Sequence, residues 1–263
     1  MLLALLLWLV PAAWCAAAAG AVDPQWIMRQ VSERERHLSS SAEVEMVLVD
    51  QGGAERSRRM RMFSRRTGNE TRRAIFFLAP ADIERSAYLG VDPGEPGRER
   101  EQWLYLPALG KSKRIASGES SQSFMGSDLS YADLVRRDSE EFNYTLLRED
   151  RVDEQPVWLV EARPVSEEIM RRVGFSKSLL VVRQDNFVVI RAINWLLAGN
   201  RLRYLEVRRI EEIDGIWAPS EVHVWTSDGR QTLHKTIFRS RDMRFNQELP
   251  PDLFSLQRLE QGL

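Results

Sequence analysis

Cysteine is almost missing from this chain: among 263 residues there is one, Cys15, and it lies in an uncharged apolar leader. The remainder can form no internal disulfide and offers no thiolate to a metal or a carbonyl, which excludes disulfide scaffolds, zinc ribbons and cysteine hydrolases. Histidine is nearly as scarce. His37, His223 and His234 fall on separate segments, with no H-x-x-H or H-E-x-x-H spacing and no carboxylate-rich calcium loop, so they read as surface or strand residues. Excess charge is absent too, with 37 Lys plus Arg against 38 Asp plus Glu. No global field therefore favours nucleic acid. Neither a P-loop nor a dinucleotide fingerprint occurs, and Gly118-Glu119-Ser120-Ser121-Gln122 fails the G-x-S-x-G elbow at its second glycine. Acid pairs such as Glu140-Glu141 and Glu211-Glu212 read as solvated faces. No catalytic residue, cofactor or metal ligand is assigned, and a non-enzymatic protein is expected.

Lysine occurs only at Lys111, Lys113, Lys177 and Lys235, so the basic charge is carried by arginine, clustered at 56–73 and 201–209. Guanidinium suits phosphate, including that of lipid headgroups. Alternation with Met60, Met62, Leu202 and Tyr204 instead places most of these arginines on an outer, solvated strand face.

Residues 1–22 carry no charge; 2–10 form an apolar run, and Ala19-Gly20-Ala21 fits a signal-peptidase site. The pattern predicts a signal peptide over 1–21, export, and one mature domain over 22–263. The first basic residue is Arg29, and the missing positive n-region leaves an uncleaved anchor as the alternative. Trp14, directly before Cys15, argues against lipid modification there.

Asp23-Pro24 is an N-cap followed by proline at the first helical position, and it predicts a helix over 25–37. The period then changes to two, with strands expected near 43–48, 55–66, 71–78, 86–91, 102–106 and 111–116. Gly, Ser and Asp make 117–130 irregular, and a short helix capped by Ser130 or Asp128 is expected over 131–137. Further strands are expected at 143–150, 157–163, 178–184, 187–197, 201–210, 216–225 and 231–238. Gly199-Asn200, Asp214-Gly215 and Asp228-Gly229 are hairpin turns. Ten or more antiparallel strands with few helices must curl into a sandwich or barrel, because a flat sheet of that size leaves edges exposed.

The segment from Trp103 to Lys111, followed by Arg114-Ile115 and then by Ser123-Phe124-Met125-Gly126-Ser127-Asp128-Leu129-Ser130-Tyr131-Ala132-Asp133-Leu134, resembles the signature of the outer-membrane lipoprotein-sorting, LolA-like family. Phe77-Leu78-Ala79-Pro80-Ala81-Asp82 and the late hairpins agree with it in order. The resemblance implies a mainly β, α+β fold: a strongly curved antiparallel sheet forming an open barrel wrapped around helices. It also implies a periplasmic carrier of lipoprotein or lipid acyl chains, with transient membrane contact and an inner-membrane lipid exporter or transporter as partner. A binding module that couples or regulates such a transporter is the alternative.

A carrier must hide tails worth about 0.8 kcal/mol per buried CH2, which asks for large, adaptable side chains. Met46, Met60, Met62, Tyr105, Phe124, Met125, Leu129 and Tyr131 are the expected acyl-chain ligands. Gly126 and Asp128 are expected to support a mobile apolar loop over the pocket; the other reading of the same residues is ordinary barrel core.

Overall fold

The computed structural model describes residues 22–34, 38–95 and 98–263. The expected signal peptide and its cleavage site lie outside the described residues. Helix α1 (Pro24–Arg34) starts where the Asp-Pro signal places it, with the Asp23 carboxylate accepting from the Gln25 amide at 2.9 Å. It buries Ile27 and Met28.

Among the described residues thirteen antiparallel strands follow in one sheet: β1 (Ser39–Asp50), β2 (Glu55–Thr67), β3 (Glu70–Ala79), β4 (Ala87–Asp92), β5 (Glu101–Leu106), β6 (Lys111–Arg114), β7 (Phe142–Val152), β8 (Gln155–Pro164), β9 (Phe175–Arg183), β10 (Val189–Leu196), β11 (Leu202–Ile213), β12 (Ile216–Ser227) and β13 (Thr232–Phe245). Their spatial order is β6-β5-β4-β3-β2-β1-β13-β12-β11-β10-β9-β8-β7. The first and last strands of the chain thus pair at the centre of the sheet. Its two free edges, β6 and β7, are consecutive in sequence. The sheet is curved and open, the LolA-like architecture.

Residues directly opposite in an antiparallel ladder share a face. The partners Val160–Leu180–Ala192–Leu205–Val224–Thr236–Leu48 therefore trace one inner face across the sheet. Val44–Met60–Phe77 and Ile75–Tyr88–Leu104 extend it toward the other edge. α1 covers this face at one end, where Ile27 and Met28 join Trp158, Val160, Phe175 and Leu180. On the opposite face, α3 (Leu256–Gln261) and the turn before it cover β2 to β5, burying Phe254 and Leu259 against Phe63, Phe76 and Leu89.

Two helices carry weak or short signals and were not expected. α2 (Glu167–Val173) is capped by Ser166, whose hydroxyl accepts from the Ile169 amide, and α3 is capped in the same way by Ser255 and the Arg258 amide. Each is under two turns, too short for helical periodicity to register. The helix expected over 131–137 is a single 3-10 turn, Tyr131–Leu134. The strand expected over 187–197 starts at Val189, because Phe187 has a left-handed φ of 56°. Gly199-Asn200 and Asp214-Gly215 have positive φ at both positions, as hairpin turns between twisted strands require.

Candidate functional site

Residues 115–141 connect the two free edges by running across the inner face. Polar residues keep the segment irregular: the Phe124 amide donates to the Leu129 carbonyl at 2.7 Å and the Ser127 amide to the Phe124 carbonyl at 2.9 Å, folding residues 123–130 into a tight loop. Its tip is left-handed at Met125 (φ 50°) and Gly126 (φ 76°).

The loop is fastened in two ways. The first is aromatic: the Phe124 ring sits 6.0 Å from Phe77, 5.8 Å from Tyr88 and 5.7 Å from Tyr131, nearly all of it out of water. Met46 and Met60 are buried in the same cluster, with Met62 and Met125 half-buried at its border. Arg58 and Arg73 reach over from β2 and β3 to donate to the carbonyls of Met125 and Leu134. Burial pushes the Tyr88 phenol far up, and its hydroxyl donates to Gln102 at 2.8 Å.

The second fastening is polar. Asp128, whose side chain is 2% exposed, accepts from Thr226 Oγ1 at 2.6 Å and Thr236 Oγ1 at 2.8 Å and bonds His234 Nδ1 at 2.7 Å. Its backbone amide donates to Thr236 Oγ1 and its carbonyl accepts from Arg203. Buried Arg203 also pairs with Asp133 at 3.0 Å, and Arg137 does so at 2.8 Å. Burial alone would raise the Asp133 carboxyl, but Arg203, Arg137 and the Ser130 hydrogen bonds outweigh it and hold it at about 2. Asp133 takes both the amide and the hydroxyl of Ser130, so it closes the 3-10 turn. Asp128, named as one of two possible caps, is turned instead toward β12 and β13.

Of the residues that hold Asp128, Arg203, Thr226 and His234 stand in one register row on the inner face, Ala162–Ser178–Asn194–Arg203–Thr226–His234, and Thr236 stands in the next. Within it Ser178 Oγ and Asn194 Oδ1 are buried without a partner among the described residues. Beside the row lies a cavity of about 680 Å³, between the crossing loop, the end of α2 and the 196–201 hairpin. Leu129, Val173, Leu196, Leu197 and Leu233 give it apolar wall; Arg171, Arg201, Arg203 and His234 give it cationic and titratable wall. Gly174 caps α2 with φ 80° and carries no Cβ where one would stand 2.9 Å from the Ser121 Cβ, which allows the loop to approach the helix end.

Among the expected ligand residues, the structure brings Met46, Met60, Met62, Phe124, Met125 and Tyr131 together in one cluster, while Leu129, Gly126 and Asp128 line the neighbouring cavity. Tyr105 stands apart. It lies on the outer face with Phe76 and Phe254, on the same side as Trp103 two residues earlier. Nothing local in the sequence groups Arg203, Thr226, His234 and Thr236, since only strand register brings them together. The arginine cluster at 201–209 was the one available signal.

This geometry, an open curved sheet whose edges are joined across its inner face, is that of a LolA-like fold. Solved structures agree. A DUF1329 family protein from Desulfovibrio piger has a TM-score of 0.81 at 26% identity, over 90% of this chain and 99% of its own. A candidate outer membrane lipoprotein-sorting protein domain from Vibrio parahaemolyticus has a TM-score of 0.80 at 24% identity, over 90% and 98%. A LolA superfamily protein from Nitrosomonas europaea has a TM-score of 0.67 at 22% identity, over 89% and 98%. No curated protein matches. A family model described as "-like: Uncharacterized protein" matches residues 55–261, and the chain belongs to that family.

Proposed function

We propose that this protein is a periplasmic carrier that holds acyl chains of lipids or lipoproteins on the inner face of its barrel and moves them toward the outer membrane, without catalysing a reaction. The observation that carries the reading is the crossing loop: a segment held by a few specific contacts, with a cavity of about 680 Å³ beside it. That volume lies in the range of small-molecule sites. An acyl chain lying along Leu129, Leu196 and Leu233 would reach the cluster of Met46, Met60, Met62 and Met125 as the loop between them gives way, and those unbranched side chains can repack around it. Each CH2 withdrawn from water contributes about 0.8 kcal/mol, so a long chain can offset partial release of the loop. The names of two structural relatives, for lipoprotein sorting and the LolA superfamily, point the same way. The apolar leader ending in Ala19-Gly20-Ala21 suits export, and an inner-membrane lipid exporter is a fitting donor.

Native mass spectrometry of the protein purified from its own host tests this. Co-purified phospholipid, fatty acid or acylated peptide is expected. An empty protein that recovers a membrane transporter instead would replace the carrier with a coupling module.

A further inference from the structure

The cavity beside the loop has two kinds of wall, and they specify more than an acyl chain. Its one carboxylate, Asp128, is fully engaged by Thr226, Thr236 and His234. Buried Arg203 is engaged by Asp133 and the Asp128 carbonyl. Two guanidinium groups remain available. Among the described residues Arg171 is paired only with Glu167, one helical turn away and in water, an ion pair that is weak and readily exchanged. Arg201 is exposed and has no side-chain partner among the described residues; its Nε lies back over Gly199, 3.1 Å from where a Cβ would stand. A pocket whose remaining charge is positive, with leucines in the same lining, fits an amphiphile with an anionic head.

We propose that the cavity selects anionic amphiphiles, with Arg201, aided by Arg171, binding a carboxylate or phosphate head while the tail follows Leu129, Leu196 and Leu233. The inference rests on the carrier reading and names its ligand class. A guanidinium binds an oxyanion through two parallel N–H donors, and such charge-assisted bonds are the strong ones. The cavity is open enough for the head to keep contact with water. Ser178 and Asn194, buried in the row that continues from Arg203, add polar groups that lack partners among the described residues.

Titration calorimetry at pH 8 with dodecanoate and 1-dodecanol, which share a tail and differ in head charge, decides it. Wild type is expected to bind dodecanoate about tenfold or more tighter than dodecanol. Arg201→Ala should remove that preference and leave dodecanol affinity within about twofold, whereas Arg191→Ala, an equal loss of charge on the outer face, should change neither. Acetate and inorganic phosphate alone are expected to bind far more weakly. Equal affinity for the two amphiphiles in wild type, or an intact preference in Arg201→Ala, would overturn the head assignment and leave the carrier standing. Tight binding of phosphate alone would make this a small-anion site and overturn the amphiphile. Failure of both amphiphiles to bind would remove the carrier reading together with the inference.

Discussion

Replacing Asp128 by alanine should release the crossing loop while leaving the sheet folded. The substitution deletes three acceptor contacts, to Thr226, Thr236 and His234. A hydrogen bond to a charged group contributes about 1.5–3 kcal/mol, but removing a buried carboxylate also relieves its desolvation, which offsets part of the loss. A net local destabilisation of about 2–4 kcal/mol is the expected outcome, with buried Thr236 left to be satisfied only by the residue-128 amide. Converted at 1.36 kcal/mol per decade, amide exchange over 120–132 should accelerate about 30- to 1000-fold. The amides of β8 to β12 should keep their protection, since their ladder bonds do not involve Asp128. Hydrogen exchange read by mass spectrometry on wild type and variant provides both numbers. Unchanged protection over 120–132, or equal acceleration in every strand, would refute a loop held separately from the sheet.

Two further outcomes follow from the same geometry. Asp133 is held at about 2 against an ordinary 3.8, so its stabilising contribution is present above about pH 4 and is lost as pH falls through 2; Asp133→Asn should lose about 2 kcal/mol in urea unfolding at pH 7 and much less at pH 2, and equal losses at both would refute the ion-pair account. Gly174→Ala should cost about 1–2 kcal/mol, lowering the melting temperature by a few degrees, because its φ is 80° and the new methyl meets Ser121, whereas Gly118→Ala, into open space, should be neutral. A neutral Gly174→Ala would show that the loop gives way there without strain.

The architecture was legible because alternation and turn chemistry are local. Val44, Met46 and Leu48 share a parity that predicts one buried face, and Asp214-Gly215 can scarcely be anything but a hairpin turn. α2 and α3 were not legible, since a helix of six or seven residues contains too few turns for its face to repeat. The apolar fastening of the loop could be guessed from Phe124 and Met125 standing alone among Gly, Ser and Asp. The polar fastening could not, because Arg203, Thr226 and His234 are brought opposite one another by strand register, and His234 read in isolation is only a strand histidine. Only its neighbourhood in the signature groups Tyr105 with the ligand residues, and parity fixes its face: it pairs with Ala87, on the side that α3 covers.

Acyl chains held on the inner face beneath the crossing loop are located by photo-crosslinking with a diazirine-bearing palmitate and mapping of the adducts. Modification is expected on peptides containing Phe124 to Leu129, Leu196 to Arg203 and Leu233, competed by unlabelled palmitate. Adducts confined to outer-face residues such as Leu179, Trp225 or Tyr105, or adducts that palmitate does not displace, would contradict it.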